Sequence, residues 1–258
     1  MKLVRKILTI FFWIGVISIW VVLTAFVNKT HHHIVYNSLE IKFTKDNQHQ
    51  LIKKSDVIEI IKDLGLVQGV TLNKEINTRE VEKKLNTHFA LENAEVYFLN
   101  TGKLNVNLSK RTPIARLIAN DPRDNVYIDE HGLLMKTSDS YVAKLPLFSG
   151  EFKWSDSNLV SNVNGSLHSQ IYNMSRIINN DPFLKSQIVQ IHINNNGYFE
   201  LIPRIGNHKI LFGSSDNMEK KFKKIKLFYT EGPSPKELNL YDTLNVMFND
   251  QIVCSKIN

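Results

Sequence analysis

Three neighbouring side chains in this sequence are of the types that perform acid-base or metal chemistry. Asp129, Glu130 and His131 are consecutive, and a carboxylate beside an imidazole suits a metal ligand set or an acid-base couple. No second cluster of such residues in the sequence completes the group. Because Gly132 follows and favours the positive φ of a tight turn, we interpret the segment as a turn between two short strands.

Two further candidates for chemistry are a histidine run and a lone cysteine. His31, His32 and His33 are consecutive, so they cannot all converge on one ion in a regular strand or helix, and we predict a solvated linker there. Cys254 is the only cysteine in the chain, which excludes an internal disulfide. Since the sequence supplies no basic or metal partner for its thiol, we interpret Cys254 as a small strand residue.

The short motifs of several large enzyme classes are absent from the sequence. It contains no Gly-x-Ser-x-Gly elbow, no Walker loop, no dinucleotide-binding glycine motif after a strand and no His-Glu-x-x-His. We therefore predict that the protein is not an enzyme and has no cofactor, no metal site and no small-molecule substrate.

The positive charge of the chain is concentrated around one apolar segment. The net charge is +7, but Lys2, Arg5, Lys6 and Lys29 flank that segment, and no acid precedes residue 30. Apart from these four, 28 of the 32 Lys and Arg residues remain, against 25 Asp and Glu. This excess of positive charge is too small for a surface that binds along a nucleic-acid phosphate backbone, so we predict no nucleic-acid partner.

Residues 7–27 form an uncharged apolar segment with the length of a membrane-spanning helix. At about 1.5 Å per residue, such a helix crosses a hydrocarbon core of about 30 Å. The basic residues before it favour a cytoplasmic tail at 1–6 and export of the rest of the chain. A cleaved secretory signal is the alternative, but its apolar region is shorter and ends at a small-x-small site, so we favour a retained anchor.

A small α+β domain is predicted at 34–111. Its predicted elements, in chain order, are a strand at 39–43, a helix capped by Ser55 or Asp56, a helix whose capping box is Asn77 and Glu80, and a hairpin of 94–99 and 104–108. The predicted order is therefore β-α-α-β-β.

A strand-rich mixed β domain with flanking helices is predicted at 112–258. Pro113 cannot donate a ladder hydrogen bond, which suits an edge strand near the start of this domain. Helices are predicted from Ser166 to Asp181 and after Asp216, with strands at 188–193, 198–202 and 209–212 between them. The last predicted strands are 243–248 and 251–256, so the final strand is a candidate edge.

The helix after Asp216 is rich in lysine. Asp216 and Glu219 have the spacing of a capping box, and apolar residues recur at helical spacing after them. Five lysines occupy most of the other positions: Lys220, Lys221, Lys223, Lys224 and Lys226. This run suits contact with anionic lipid or a glycan polymer, but we favour an ordinary solvated face.

Three motifs resemble the bacterial FtsQ/DivIB cell-division family. They are Arg111-Thr112-Pro113-Ile114-Ala115, Tyr127-Ile128-Asp129-Glu130-His131-Gly132, and the segment from Leu145-Pro146 to Gly150. In that family, an Arg-x-Pro-Ile-Ala stretch leaves a POTRA domain and the other two motifs follow in this order. Lys110 stands where the family often has an acid. The resemblance implies an α+β chain with a single transmembrane helix, a POTRA-like domain and a distal β domain.

The resemblance also implies a function, a location and partners. Members are scaffolds of the septum that lie in the inner membrane, with the amino terminus in the cytoplasm and the bulk in the periplasm. They bind FtsB and FtsL, and through them the FtsW-FtsI septal synthase, which links early and late division proteins and helps control septal peptidoglycan synthesis. In the family, terminal strands bind FtsB by strand addition, which implies these partner-binding residues here: Phe248, Gln251, Ile252, Val253, Cys254, Ser255 and Lys256. The alternative is that Phe248, Ile252 and Cys254 only pack inward, and both can hold together.

Two other functions stay open on the sequence alone. One is a POTRA-bearing secretion or assembly adaptor, although such proteins usually carry repeated POTRA units and the sequence indicates one. The other is a membrane-tethered envelope hydrolase that uses Asp129, Glu130 and His131. Substitution of these three residues separates the hydrolase from the scaffold.

Overall fold

The structure, a computed structural model, describes residues 11–24, 34–44, 49–118, 125–138, 141–150, 165–234 and 236–257. The chain divides into two compact units. The first comprises Met1–Asp46 and Ile52–Lys110, and the second comprises Asn47–Leu51 and Arg111–Asn258.

Residues 11–24 are helical and expose large apolar side chains. Phe11 and Trp20 are each 67% exposed, and Trp13 is 59% exposed. The predicted membrane span 7–27 continues at both ends beyond the described residues, and the predicted tail 1–6 lies outside them. No helix within the described part of the chain is long and apolar enough to cross a membrane.

Besides the helix at 11–24, the described part of the first unit contains a three-stranded sheet and two α-helices. Its elements are β1 (Ser38–Phe43), α1 (Lys54–Asp63), a 3-10 helix (Asn73–Glu75), α2 (Thr78–Asn86), β2 (Leu91–Phe98) and β3 (Lys103–Lys110). The strand order is β1-β3-β2, with β1 parallel and β2 antiparallel to β3. This confirms the predicted β-α-α-β-β order.

Helices α1 and α2 both have local start signals. The Asn77 side chain accepts a hydrogen bond from Glu80 N, as predicted for the start of α2. Helix α1 begins earlier than predicted, because Asp56 lies inside it and accepts from Lys53 N at 2.9 Å. Their apolar faces and alternate residues of β3 form the core of the unit: Val57, Ile61, Val81, Leu85, Leu104, Val106 and Leu108.

The second unit is a nine-stranded mixed sheet with helices packed against it. Its elements are β4 (Pro113–Leu117), β5 (Val126–Asp129), β6 (Leu134–Lys136), β7 (Leu147–Gly150), α3 (Leu167–Asn180), α4 (Pro182–Gln187), β8 (Ile188–Ile193), β9 (Phe199–Pro203), β10 (Lys209–Gly213), α5 (Met218–Glu231), a 3-10 helix (Glu237–Leu240), β11 (Tyr241–Asn245) and β12 (Val253–Lys256). The strand order is β12-β11-β10-β9-β8-β7-β4-β5-β6. The predicted strand-rich α+β class is confirmed.

One core joins the sheet and the helices of the second unit. Ile171 and Met174 of α3 and Ile225 of α5 are fully buried in one cluster with Phe148 and Phe199 of the sheet. Helix α3 begins next to Ser166, as predicted, and Ser166 caps it by accepting from Ser169 N at 3.1 Å. Because both helices bury an apolar stripe, the sheet face beneath them is closed to solvent.

Two predicted local features of the second unit are wrong. Strand β4 lies between β5 and β7 rather than at an edge, and Pro113 is tolerated because it is the first residue and a register shift follows it. Asp216 and Glu219 do not cap α5. Asn217 holds that position with φ 52°, and Asp216 instead accepts from the Ser214 hydroxyl at 2.8 Å.

Candidate functional site

Strand β12 forms one edge of the nine-stranded sheet. It is antiparallel to β11, with Thr243 opposite Ser255 and Leu244 opposite Cys254. The hydroxyls of Thr243 and Ser255 hydrogen-bond each other across the pair. Beyond the strand, Ile257 N donates to Leu240 O at 2.9 Å. These bonds hold β12 against β11 without covering its other side.

The outer side of β12 carries unpaired backbone groups. In an antiparallel ladder, alternate residues direct N–H and C=O to the same neighbour. Counting back from Ile257, which donates inward, Ser255 and Val253 face β11, while Lys256 and Cys254 face away. No other strand pairs with β12 within the described residues. A partner strand can therefore pair along this edge.

The seven predicted partner-binding residues divide by position and exposure. Strand β12 begins later than predicted, so Gln251 and Ile252 belong to the loop before it. Ile252 and Cys254 are half-buried and pack against the core. The others are exposed, with Phe248 at 47% and Val253 at 45%: Phe248, Gln251, Val253, Ser255 and Lys256. Inward packing thus describes Ile252 and Cys254 and does not describe Phe248.

Exposed apolar side chains surround the edge. Leu227 is 51% exposed and Met247 is 40% exposed, and both line a groove of about 720 Å³ between α5 and the loop 246–252. The other residues that line the groove are polar, and four of them are lysines. Phe248 and Val253 of the terminal hairpin are further exposed apolar side chains. Large apolar side chains that stay exposed near unpaired backbone are typical of a protein-binding surface.

The loop 246–252 is held by a lysine that the sequence pattern placed in solvent. Lys224 Nζ donates to Val246 O at 2.7 Å, to Phe248 O, and at the longer distance of 3.5 Å to Gln251 O. Burial lowers the pKa of Lys224, and the nearby Asp250 carboxylate opposes that effect. No sequence signal identifies this contact, because it depends on where α5 packs relative to the loop.

Two other lysines of the run are also engaged. Lys221 is 7% exposed and donates to Ser214 O at 2.9 Å, and burial lowers its pKa. Lys226 forms an ion pair of 2.8 Å with Asp181. The interpretation of the run as a solvated face is therefore wrong for the buried Lys221 and incomplete for the half-buried Lys224, whereas Lys226 stays exposed and agrees with it.

The carboxylate and imidazole cluster forms a turn around a buried acid. Asp129 is fully buried, and its Oδ1 accepts from His131 N at 3.0 Å and from Leu133 N at 2.8 Å. Its Oδ2 accepts from Arg111 Nη1 at 2.9 Å. This confirms the predicted turn, and both oxygens of Asp129 are occupied by the protein itself.

The structure brings no metal ligand set together where it is described. No group of three His, Cys, Asp or Glu side chains with the spacing of a metal site lies within the described residues. His31, His32 and His33 lie outside them. Burial raises the pKa of the Cys254 thiol, which makes it a weaker nucleophile at neutral pH.

The first unit has an apolar groove beside its own edge strand. A groove of about 660 Å³ is lined by side chains of β1, α1 and residues 66–68. Ile58 and Val67 within it are 36% and 52% exposed, and Lys54 and Lys62 also line it. Strand β1 is at the edge of the sheet, so alternate residues direct backbone groups away from β3.

Comparison with protein families identifies both units. The family described as "FtsQ/DivIB, C-terminal related" matches residues 112–255, and a POTRA-like domain family matches residues 35–109. The chain thus joins a POTRA-like domain to a distal mixed β domain. It belongs to the FtsQ/DivIB-related family, which implies a role in cell division. A comparison with curated proteins gave no match.

Proposed function

We propose that this protein is a non-enzymatic scaffold of the bacterial divisome that binds FtsB and FtsL through the edge of β12. Through them it contacts the FtsW-FtsI septal synthase, links early and late division proteins, and helps control septal peptidoglycan synthesis. The observation that carries the proposal is the unpaired outer side of β12, flanked by exposed Phe248 and Val253. Strand addition on such an edge uses backbone hydrogen bonds for affinity and alternate side chains for specificity.

The proposed location is the inner membrane at the division septum. Residues 7–27 form the anchor, 1–6 the cytoplasmic tail, 34–111 the POTRA-like domain and 112–258 the distal domain, with the bulk periplasmic. The helix at 11–24, with its exposed apolar side chains, supports an apolar environment for that segment. A protein confined to a membrane meets its partners at a raised effective concentration, so moderate contacts suffice.

The POTRA-like unit is a second docking surface in this proposal. The groove beside β1 suits an extended segment with apolar residues at alternate positions, since Ile58 and Val67 are exposed along it. Lys54 and Lys62 favour acidic residues in such a segment. The hydrolase alternative is not favoured, because Asp129 is buried and occupied by Arg111 and by turn N–H groups.

The experiment that tests the proposal removes one outward N–H from the edge. Lys256→Pro removes the Lys256 N–H, which faces away from β11, and leaves the inward bonds of Ser255 and Val253 intact. We expect the full-length chain to bind the FtsB-FtsL pair, and Lys256→Pro to weaken binding about ten-fold, as the loss of one good hydrogen bond does.

Lys256→Ala is the matched control, because it removes the side chain and keeps the N–H. It is expected to bind within about two-fold of the unchanged chain, as exposed positions usually allow. Equal weakening by both variants would assign the contact to the side chain and refute strand addition. No binding by the unchanged chain would refute the proposed partners.

A further inference from the structure

The loop between β11 and β12 is organised around a single ammonium group. Lys224 Nζ donates to Val246 O and Phe248 O, and weakly to Gln251 O at 3.5 Å. An ammonium has three N–H donors and no acceptor, so these three carbonyls use its full capacity. The first and last of them lie at the two ends of the loop, and Phe248 lies between.

The other contacts of the loop restrain it only in part. Met247 N donates to Asn245 Oδ1 at 3.0 Å, and the Met247 side chain packs against Gly213. Asp250 has φ 55°, which marks a turn. None of these contacts binds the backbone of Phe248, whereas Lys224 does. The ammonium is thus the described contact that fixes the point from which the exposed Phe248 ring projects.

The neighbouring lysines have different surroundings. Lys220 and Lys223 are exposed on the same helix, while the half-buried Lys224 side chain reaches the loop. Lys224 gives up part of its hydration to bind carbonyls that water would otherwise solvate. Residues 247–251 of the loop stay exposed, so the arrangement adds no burial there. A binding surface gains preorganisation from it, because the loop is already ordered before the partner binds.

We propose that Lys224 is a positioning residue of the partner-binding edge. By holding the carbonyls of Val246, Phe248 and Gln251, it keeps the loop and Phe248 in the conformation that a partner strand meets on β12. This inference rests on the proposed function, because it takes the β12 edge as the surface that binds the FtsB-FtsL pair.

The test compares Lys224→Met with Lys223→Met in the full chain. Both variants remove one charge from α5, but only the first removes the carbonyl contacts. We expect Lys224→Met to speed amide hydrogen exchange in 246–257 while exchange in β4 and β8 stays unchanged. Its affinity for the FtsB-FtsL pair is expected to fall about ten-fold, Lys223→Met to bind normally, and Lys224→Arg to recover part of the loss.

Salt separates positioning from direct attraction of an acidic partner. A long-range charge effect is screened at 0.5 M salt and is shared by Lys223→Met, whereas a positioning effect persists and is specific to Lys224→Met. If Lys224→Met does not fold, Lys224→Gln takes its place, because its amide offers two N–H donors to three carbonyls and has no charge, so a smaller loss of affinity that persists at high salt is expected.

The outcomes distinguish this inference from the proposed function. If the unchanged chain binds and Lys224→Met binds equally well with unchanged exchange, the positioning role is wrong and the β12 edge stands. If Lys224→Met loses affinity at low salt but not at 0.5 M salt, Lys224 attracts its partner directly and the positioning role is wrong. If the unchanged chain does not bind FtsB-FtsL, the proposed partners are wrong and the positioning role falls with them.

Discussion

Arg111 and Asp129 form an ion pair in which Arg111 Nη1 lies 2.9 Å from Asp129 Oδ2, while 24% of the Arg111 side chain and 1% of the Asp129 side chain remain exposed. Arg111 begins one of the motifs that resemble the FtsQ/DivIB family, and Asp129 lies in the next. The two motifs are therefore joined in space by a structural contact, which locks the start of the distal domain to its first hairpin.

The first prediction concerns this ion pair. Arg111→Ala leaves the Asp129 carboxylate buried without its cation. We expect the free energy of unfolding to fall by about 3 kcal/mol. This value is at the lower end of the range for breaking a buried ion pair, because Arg111 is partly exposed. The measurement is the urea midpoint of the distal unit. His131→Ala is the control, since its side chain is 55% exposed and its loss should cost less than about 0.5 kcal/mol. Equal effects of the two variants would contradict the structural role of the pair.

The second prediction concerns the apolar surface of the edge. Val253→Asp places a charge where a partner strand would bury an apolar side chain, so we expect affinity for the FtsB-FtsL pair to fall by at least about ten-fold. Val142→Asp is the matched control, because Val142 is 58% exposed and lies outside the terminal hairpin. Affinity is measured by surface plasmon resonance with the FtsB-FtsL pair immobilised. A similar loss of affinity in both variants would indicate a general effect of the added charge.

The third prediction concerns the contact between Gly213 and the loop. Gly213 has φ 74°, and a Cβ there would lie 2.6 Å from Met247 Sδ. Gly213→Ala is expected to cost about 2 kcal/mol, from left-handed strain and from displacement of Met247. Adding Met247→Ala removes the clash, so the double-mutant cycle should show a coupling of about 1 kcal/mol. Strict additivity would show that Met247 moves aside freely.

The fourth prediction concerns the pH dependence of stability. His208 is 2% exposed with Nε2 2.6 Å from Tyr229 OH, and burial lowers its pKa below the ordinary value, an effect that the nearby Leu238 backbone opposes without reversing. Below about pH 6.5 the unfolded chain binds a proton at His208 that the folded chain does not bind. The free energy of unfolding therefore decreases as the pH is lowered, until the pH reaches the lowered pKa of the folded state.

His208→Gln tests this sign, because it keeps a hydrogen-bonding group and does not titrate. Its unfolding free energy should fall less steeply between pH 6.5 and 5, by up to about 1.4 kcal/mol per pH unit. His192→Gln is the control on an exposed position. An unchanged slope in His208→Gln would show that His208 does not drive the acid sensitivity.

The fifth prediction concerns the groove of the POTRA-like unit. A nine-residue synthetic peptide with alternating isoleucines and acidic ends should bind the full chain, and Val67→Asp should weaken binding by at least about ten-fold. Val70→Asp is the matched control, since Val70 is 72% exposed and does not line the groove. A peptide N-methylated at every residue of its central segment should not bind if β1 pairs with it, because neither of its edges can then donate an N–H. Binding of that peptide would contradict strand pairing.

The sequence predicts best the features that depend on neighbouring residues. The cap formed by Asn77, the start of α3 near Ser166 and the inward Leu104, Val106 and Leu108 of β3 follow from short-range spacing, and the structure confirms them. Asn105 of β3 is buried as well, which the alternation did not predict. The turn at Asp129 to Gly132 is also local. Its burial and its ion pair with Arg111 are not, because they require two segments to meet in the fold.

The features that the sequence did not predict depend on tertiary packing. Asp181-Pro182 was predicted to stop α3, and it does, but Asp181 also caps α4 by accepting from Phe183 N and Leu184 N. The lysine run looks uniform in sequence, yet Lys224 differs from Lys223 because only one of them lies over the loop. Spacing alone cannot distinguish them, since both fall outside the apolar stripe of α5.

The position of β12 in chain order has a consequence for the timing of assembly. It follows every other strand of its sheet, and its neighbour β11 is parallel to β10, which it reaches only through the crossover helix α5. Because chains are synthesised from the amino terminus, this edge forms only after the rest of the sheet has been made. A chain interrupted before residue 253 would present β11 as the edge of the sheet instead. A partner that pairs with β12 therefore selects molecules in which the other strands of this sheet have already been synthesised.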